Sequence, residues 1–308
     1  MGSQYNIGAV ARRAGLTAHV LRAWERRYLA LRPSRTEGNQ RLYTDEDVER
    51  LRLLGRLCRA GHRIGRIARS SVEELRALAV GTAAEAEPAG ADGGIPGLLA
   101  RCRSAVEDMD GARLGRILDT ARVFLPPMRL VSDVILPLMR WVGDRWESGK
   151  IRILHEHIAT AVVRSVLDRM ASETPAPEDA PLLAIATPPG EWHEVGALAA
   201  RLKALECGWR VLYLGANIPA AEVAEAAVRN GAAGVALGIT VDADRRSSTR
   251  ILKELCKALN GNCFLLAAGP AAVRSAKSAG LRPAAVIPSL AAFGRALDRL
   301  RSSHTSKV

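Results

Sequence analysis

The stretch LLAIATPPGEWHEVGALAARLKAL (Leu182–Leu205) reads as a buried strand, a Pro-Pro-Gly loop and an Ala/Leu-rich helix. Its opening run LLAIA (Leu182–Ala186) does not alternate with polar residues, so both faces of the strand must be covered. Four further apolar runs follow: RVLYLG (Arg210–Gly215), GVALGIT (Gly234–Thr240), CFLLAAG (Cys263–Gly269) and the weaker AAVI (Ala284–Ile287). Helical periods of suitable length lie between them. This alternation predicts an α/β domain over residues 181–303, a parallel sheet with helices on both faces. Ligands of such sheets bind at the carboxyl ends of the strands, where the TPPGEWHEVG loop begins.

Upstream, SETPAPEDAP (Ser172–Pro181) reads as a linker. Before it, residues 97–172 have helical character, broken near the middle by Pro126-Pro127. A second linker, AVGTAAEAEPAGADGGIP (Ala79–Pro96), sets off a front segment of residues 1–78. No apolar run approaches the ~18 residues of a membrane span, and the start MGSQYNIGAV lacks a charged-then-apolar signal pattern. The five cysteines are scattered without a C-x-x-C pair, which argues against a disulfide scaffold or cysteine zinc site and for a reducing cytoplasm. The net charge of +12 is uneven: residues 1–80 hold 16 Arg and no Lys against 8 acidic residues, hence +8. A basic head on a nearly balanced body suits a polyanion partner.

Within the head, Ile7, Val10, Ala11 and Ala14 form the apolar stripe of a short helix ended by Gly15. Thr17 caps a second helix, with Val20, Leu21 and Trp24 inward and His19, Arg22 and Arg26 outward. The loop RPSRTEGNQRLY follows, with a Gly38-Asn39 turn signal between Arg35 and Arg41, the pattern of a wing. Thr44 and Asp47 form a capping box for a helix that buries Val48, Leu51, Leu54 and Cys58. Together, YNIGAVARRAGLTAHVLRAWERRY, the spaced Arg35, Gly38, Arg41, Leu42 and Tyr43, and T-D-E-D-V resemble the MerR family of winged helix-turn-helix transcription regulators. The resemblance implies an all-α winged head on double-stranded DNA. It places His19, Arg22 and Arg26 in or beside the major groove, and Arg35, Arg41 and Tyr43 on phosphate.

The TPPGEWHEVG loop carries neither G-x-G-x-x-G nor a phosphate loop, and GDRWESGK has the wrong glycine spacing for one. It does carry Glu191-x-His193-x-x-Gly196, an imidazole beside a carboxylate that can orient it. A loop histidine near a glutamate is ordinarily just solvated, and spacing distinguishes this one. 41 residues separate Gly196 from Gly238-Ile239-Thr240, and 28 separate Thr240 from Gly269-Pro270. With L-Y-L-G-A-N-I-P (Leu212–Pro219), the set resembles the base-off, His-on cobalamin-binding family, a Rossmann-like (flavodoxin-like) fold. That likeness implies His193 as lower axial cobalt ligand and Glu191 as its orienting carboxylate. Gly196, Gly238 and Gly269 are then the small positions that let the nucleotide tail thread into the sheet, and Gly215 and Thr240 are further cofactor-binding positions. The sequence departs from that family: Glu191 replaces Asp, Gly238 Ser, Thr240 Leu and Pro270 Gly.

In the middle segment Trp146 is followed, after nine intervening residues, by Glu156-His157. Taken alone, Trp141 and Trp146 suit core anchors, and Leu154, Ile158, Ala161 and Val162 a core stripe. The order of head, helical segment and cobalamin domain resembles the CarH/LitR-type photoreceptor repressors. By that resemblance residues 97–172 form a four-helix bundle that caps the upper face of adenosylcobalamin, with Trp146, Glu156 and His157 around the adenosyl group and Glu147 beside them as a further cofactor-binding position. The family has a histidine after the tryptophan where this chain has Glu147, a harder ligand that can still bind Co(III), with His155 and His157 as possible substitutes for the upper ligand after light.

What the resemblance implies is a cytoplasmic, non-enzymatic repressor. Adenosylcobalamin in the dark holds it as a homodimer or tetramer on operator DNA, and photolysis releases it. One alternative keeps the architecture as a light-insensitive cobalamin sensor. Another is a corrinoid carrier for a methyltransferase or mutase, which needs a separate substrate barrel of ~250 residues.

Overall fold

A computed structural model of the chain describes residues 4–14, 16, 18–36, 40–59, 62, 64–81, 94–240, 245–282 and 285–305. The chain gathers into two compact units, Met1–Val162 and Val163–Val308. None of the described helices is long and apolar enough to cross a membrane.

The first unit opens with α1 (Ile7–Ala14) and α2 (Ala18–Tyr28), then a short hairpin of β1 (Ser34–Arg35) and β2 (Arg41–Leu42). The hairpin is antiparallel, with Ser34 opposite Leu42 and Arg35 opposite Arg41. The head is therefore not purely α-helical. The expected Thr17 cap and Gly38-Asn39 turn lie outside the described residues. Helix α3 (Asp45–Arg59) starts on a reciprocal capping box: Thr44 N–H donates to Asp47 Oδ2 at 2.8 Å, and Asp47 N–H donates to Thr44 Oγ1 at 3.2 Å. Short α4 (Ile64–Ile67) and α5 (Val72–Gly81) complete the head. Val10, Leu21, Trp24, Leu51, Leu54 and Leu57 are its buried centre. Arg50 ties the pieces together, donating to the carbonyls of Ala30 (2.8 Å), Ser70 (2.7 Å) and Ala68 (2.6 Å).

Four helical rods follow. They are α6 (Gly94–Glu107), α7 (Gly111–Phe124), a rod of α8 (Pro127–Leu130) that passes through a π-helical turn (Val131–Ile135) into α9 (Leu136–Glu147), and α10 (Ile153–Ser172). Pro127 stands at the first position of α8, where its missing N–H costs nothing. Val123 and Phe124, at the end of α7, pack on the head's core. The core stripe of α10 differs from the expected one: Leu154 is 54% exposed and Ala161 is exposed, while His155, Ala159, Val163, Val166 and Met170 are buried. The helix is turned by about one residue, because the buried row follows the i, i+4 line from His155 rather than from Leu154. Trp146 is no core anchor either, at 45% exposed.

The second unit is a five-stranded parallel sheet ordered β4-β3-β5-β6-β7. The strands are β3 (Leu182–Ala186), β4 (Arg210–Gly215), β5 (Gly234–Gly238), β6 (Phe264–Ala268) and β7 (Val286–Ile287). α11 (Val195–Glu206), α12 (Ala220–Arg229), α13 (Arg245–Leu259), α14 (Pro270–Ala276) and α15 (Leu290–Thr305) alternate with them. One face buries Ala220, Val223, Leu252 and Leu255 against the sheet. The other buries Ala197, Ala200, Phe293 and Leu297. The chain leaves β3 toward β4 on one side and returns to β5 on the other, so a topological switch point lies between the carboxyl ends of β3 and β5.

Candidate functional site

Thr187, the residue after β3, stitches two loops together. Its N–H donates to Gly215 O (3.1 Å), and its carbonyl accepts from Ile218 N–H (3.0 Å). Its hydroxyl donates to Glu191 O (2.6 Å) and accepts from Asn217 N–H (3.1 Å). The Asn217 side chain in turn accepts from Gly190 N–H at 2.8 Å. The Pro-Pro-Gly loop is thus fastened to the loop after β4.

On this platform the Glu191 carboxylate is 3% exposed and its bonds cross the switch point. Its Oε1 lies 2.7 Å from His193 Nδ1 and accepts from His193 N–H at 2.9 Å. Its Oε2 accepts from the N–H of Thr240, beyond β5, at 2.6 Å. A carboxylate on Nδ1 sets the tautomer and aims Nε2 away, the arrangement of a metal-ligating histidine with its supporting acid. The imidazole is 59% exposed. The sequence had paired Glu191 with His193; that Glu191 also takes the Thr240 amide was not visible there.

The glycines differ in kind. At Gly269, φ is +101° and an added Cβ would stand 2.4 Å from Ile239 O, so only glycine fits. At Gly196 and Gly215 an added Cβ would meet nothing within 4 Å, open space beside the histidine loop. At Gly238 it would rest in ordinary contact, 3.7 Å from Thr187 Cγ2 and 3.8 Å from Ala197 Cβ. The structure brings Glu191, His193, Gly196, Gly215, Gly238, Thr240 and Gly269 to the same carboxyl edge of the sheet.

These residues fit a corrinoid. His193 offers one oriented donor, and among the described residues no three His, Cys, Asp or Glu side chains gather to hold a metal ion. A single imidazole suits a metal that brings its equatorial ligands in a macrocycle, and the open ground at Gly196 and Gly215 leaves room for an appended chain.

Glu194, next to the histidine, was not singled out from sequence. It is 7% exposed, accepts from Tyr213 OH at 2.7 Å and pairs with Arg164 of α10 at 2.9 Å. Asp168, one turn on, pairs with Arg201 at 2.7 Å, whose guanidinium lies 5.7 Å from the Tyr213 ring. Burial, and then the Glu194 carboxylate, push the Tyr213 hydroxyl well above the usual tyrosine range. Two ion pairs meeting at one tyrosine fasten the end of α10 to α11 and β4. Such long-range partners leave no local pattern to read.

In the first unit, Trp146 and Glu147 are exposed at the end of α9. Glu156 lies 2.7 Å from His157 Nδ1 and accepts from Thr160 Oγ1 at 2.8 Å. His155 is instead 9% exposed, its Nδ1 3.2 Å from Arg152 N and 3.2 Å from Arg152 O, at the amino end of α10. Of the two histidines weighed as upper ligands, His157 presents an outward, carboxylate-oriented ring and His155 is used to finish a helix.

In the head, Arg22 and Arg26 are exposed on α2 and Arg35 is exposed on β1; the His19 side chain lies outside the described residues. Arg41 pairs through Nε with buried Glu25 at 2.9 Å. Tyr43 requires a correction: it is fully buried and its hydroxyl donates to Glu25. Burial and that carboxylate raise its pKa far above normal. Held in the core, it offers no surface to a phosphate and instead anchors the wing.

The family model of the MerR HTH family regulatory proteins matches residues 5–71, and that of a B12 binding domain matches residues 98–170. The chain is 35% identical over 227 residues to the HTH-type transcriptional repressor CarH of Myxococcus xanthus, spanning 72% of this chain and 74% of that one. To the HTH-type transcriptional repressor CarA of the same organism it is 33% identical over 225 residues, 72% of each. The HTH-type transcriptional regulator MlrA of Escherichia coli matches 63 residues at 40% identity, 20% of this chain and 26% of that one. Among solved structures, the monomethylamine corrinoid protein of Methanosarcina barkeri superposes with a TM-score of 0.55 at 13% identity. It covers 66% of this chain and 98% of its own, a likeness of fold.

Proposed function

Because the chain belongs to the CarH/CarA family of cobalamin-binding, MerR-type transcription regulators, we propose that it is a light-responsive repressor whose hold on operator DNA is set by adenosylcobalamin. The observation that carries this is the buried Glu191 carboxylate, which holds His193 by Nδ1 and the Thr240 amide together at the sheet edge. In this proposal His193 is the lower cobalt ligand and Glu191 its orienting acid. Gly196, Gly238 and Gly269 border the nucleotide tail, and Gly215 and Thr240 are further cofactor-binding positions. Trp146, Glu147, Glu156 and His157 cover the upper face. Residues 1–78 act as the DNA-binding head, 97–172 as the capping bundle and 181–303 as the cobalamin domain. The protein works in the cytoplasm and is not an enzyme.

When bound, the cofactor supplies a cobalt–carbon bond that light cleaves. The chain does the rest. Trp146 shields the upper group from water, the Glu156–His157 pair borders it, and the bundle holds its closed arrangement only while these side chains have something to enclose. Closed chains assemble as dimers or tetramers, so several heads engage repeated operator elements at high effective concentration. Arg22 and Arg26 reach base edges or phosphate, and Arg35 and Arg41 hold phosphate.

The test is the absorption spectrum and native mass of the full chain with adenosylcobalamin, before and after green light, alongside operator binding. The expected result is a changed spectrum, a smaller assembly and released DNA, with no base-off binding in His193→Ala. An unchanged spectrum and mass after irradiation would favour a light-insensitive cobalamin sensor. Glu147 in the place of the family's histidine is the observation on that side.

A further inference from the structure

Trp192 stands between the buried Glu191 and His193 in sequence, and it is 68% exposed. Trp24 and Trp209 are 3% and 0% exposed, so the fold has the means to bury an indole and does not do so here. A mobile loop does not explain the exposure, because the backbone is held on both sides of Trp192. Gly190 N–H donates to Asn217 Oδ1, Glu191 O accepts from Thr187 Oγ1, and His193 N–H donates to Glu191 Oε1. An indole carried on a backbone tied down at both neighbours, beside the candidate ligand histidine, is an amphipathic surface open to a ligand with a broad apolar face.

Resting on the corrinoid reading above, we propose that Trp192 is a corrin-binding residue, an aromatic floor beneath the lower face of the ring. Consecutive α-carbons are ~3.8 Å apart, so the indole springs from the chain one residue from the imidazole that holds the metal. A corrin held through His193 would have its face next to the residues that flank this histidine in the loop. A corrin offers a broad, mostly apolar face with amides at its rim, which suits an indole whose charged neighbours, Glu191 and Glu194, are both turned into the protein. Covering that face also keeps water and competing ligands from the His193–metal bond. The nucleotide tail is a different part of the ligand, and its path lies by the glycines.

The experiment titrates the full chain in the dark with hydroxocobalamin and with aquocobinamide, which keeps the ring and lacks the nucleotide. Wild type, Trp192→Ala and Trp192→Phe are followed by absorption and by dissociation rate. Trp192→Ala is expected to weaken both corrinoids by roughly tenfold. Trp192→Phe should keep most of the affinity, and the base-off spectrum of the loaded variants should be unchanged because His193 still ligates. Unchanged cobinamide affinity in Trp192→Ala overturns the proposal, and so does a loss confined to hydroxocobalamin. A change in native mass with corrin affinity intact also overturns it, in favour of a protein contact. If wild type takes up neither corrinoid, the corrinoid reading itself fails.

Discussion

Glu191 and His193 meet at 2.7 Å, Oε1 to Nδ1, while the second oxygen of the same carboxylate takes the Thr240 amide at 2.6 Å. A carboxylate can accept on both oxygens; an amide cannot. Glu191→Gln therefore sets an NH2 either against the Thr240 amide or against the His193 backbone N–H and Nδ1. We expect a loss of about 1–3 kcal/mol in stability and roughly 10–100-fold in corrinoid affinity. Thermal unfolding and absorption titration read the two effects.

Two glycines of the same edge should behave oppositely. Gly269→Ala forces a Cβ to within 2.4 Å of Ile239 O at a φ of +101°, so it should destabilise by about 3 kcal/mol or more. Gly238→Ser restores the cobalamin family's residue, and its Cβ would meet only ordinary contacts at 3.7–3.9 Å. That change should cost less than about 1 kcal/mol. Denaturant midpoints of the two variants separate them.

Arg50 satisfies three carbonyls from two segments of the head. Arg50→Met leaves all three without this donor and should cost about 2–4 kcal/mol. Arg50→Lys recovers little, because an ammonium cannot reproduce the planar fork. Faster hydrogen exchange in α4 and α5 is the accompanying sign.

Alkaline pH should loosen the protein through two tyrosines. Tyr43 and Tyr213 are raised by burial first and then by Glu25 and Glu194. An unfolded tyrosine ionises near pH ~10. Below that both states are protonated and the fold keeps its full stability. Above it the unfolded chain loses protons that the folded chain retains, so stability falls as pH rises. In melts between pH 9 and 11, Tyr213→Phe should show a shallower decline than wild type.

Thiol chemistry should discriminate by burial. The Cys102 thiol is fully buried and pushed up to about 12, while Cys256 is exposed. At pH 8, iodoacetamide should modify Cys256 in the native protein and reach Cys102 only after unfolding, as mass spectrometry of peptides would record.

Much of the fold was legible because its causes are local. LLAIA is a strand in the structure, the Thr44–Asp47 box opens α3, and Pro126-Pro127 breaks the helices as expected. Period, caps and proline act over a few residues, and a reader of the chain sees them all. Glu191 beside His193 was legible for the same reason, two residues apart. By contrast, the α10 stripe missed its phase by about one residue, because which row of a mostly apolar helix is buried depends on its neighbours.

Alone, then, the amino-acid order determined the strands, most of the helices and the candidate axial histidine. Only the tertiary structure decided that Tyr43 is a buried anchor rather than a phosphate contact, that Glu194 and Tyr213 fasten α10, and that Glu191 bonds an amide 49 positions away. The reason is topological. The strand order β4-β3-β5 brings the ends of β3 and β5 side by side, and no pattern within either loop records which loop will lie next to it.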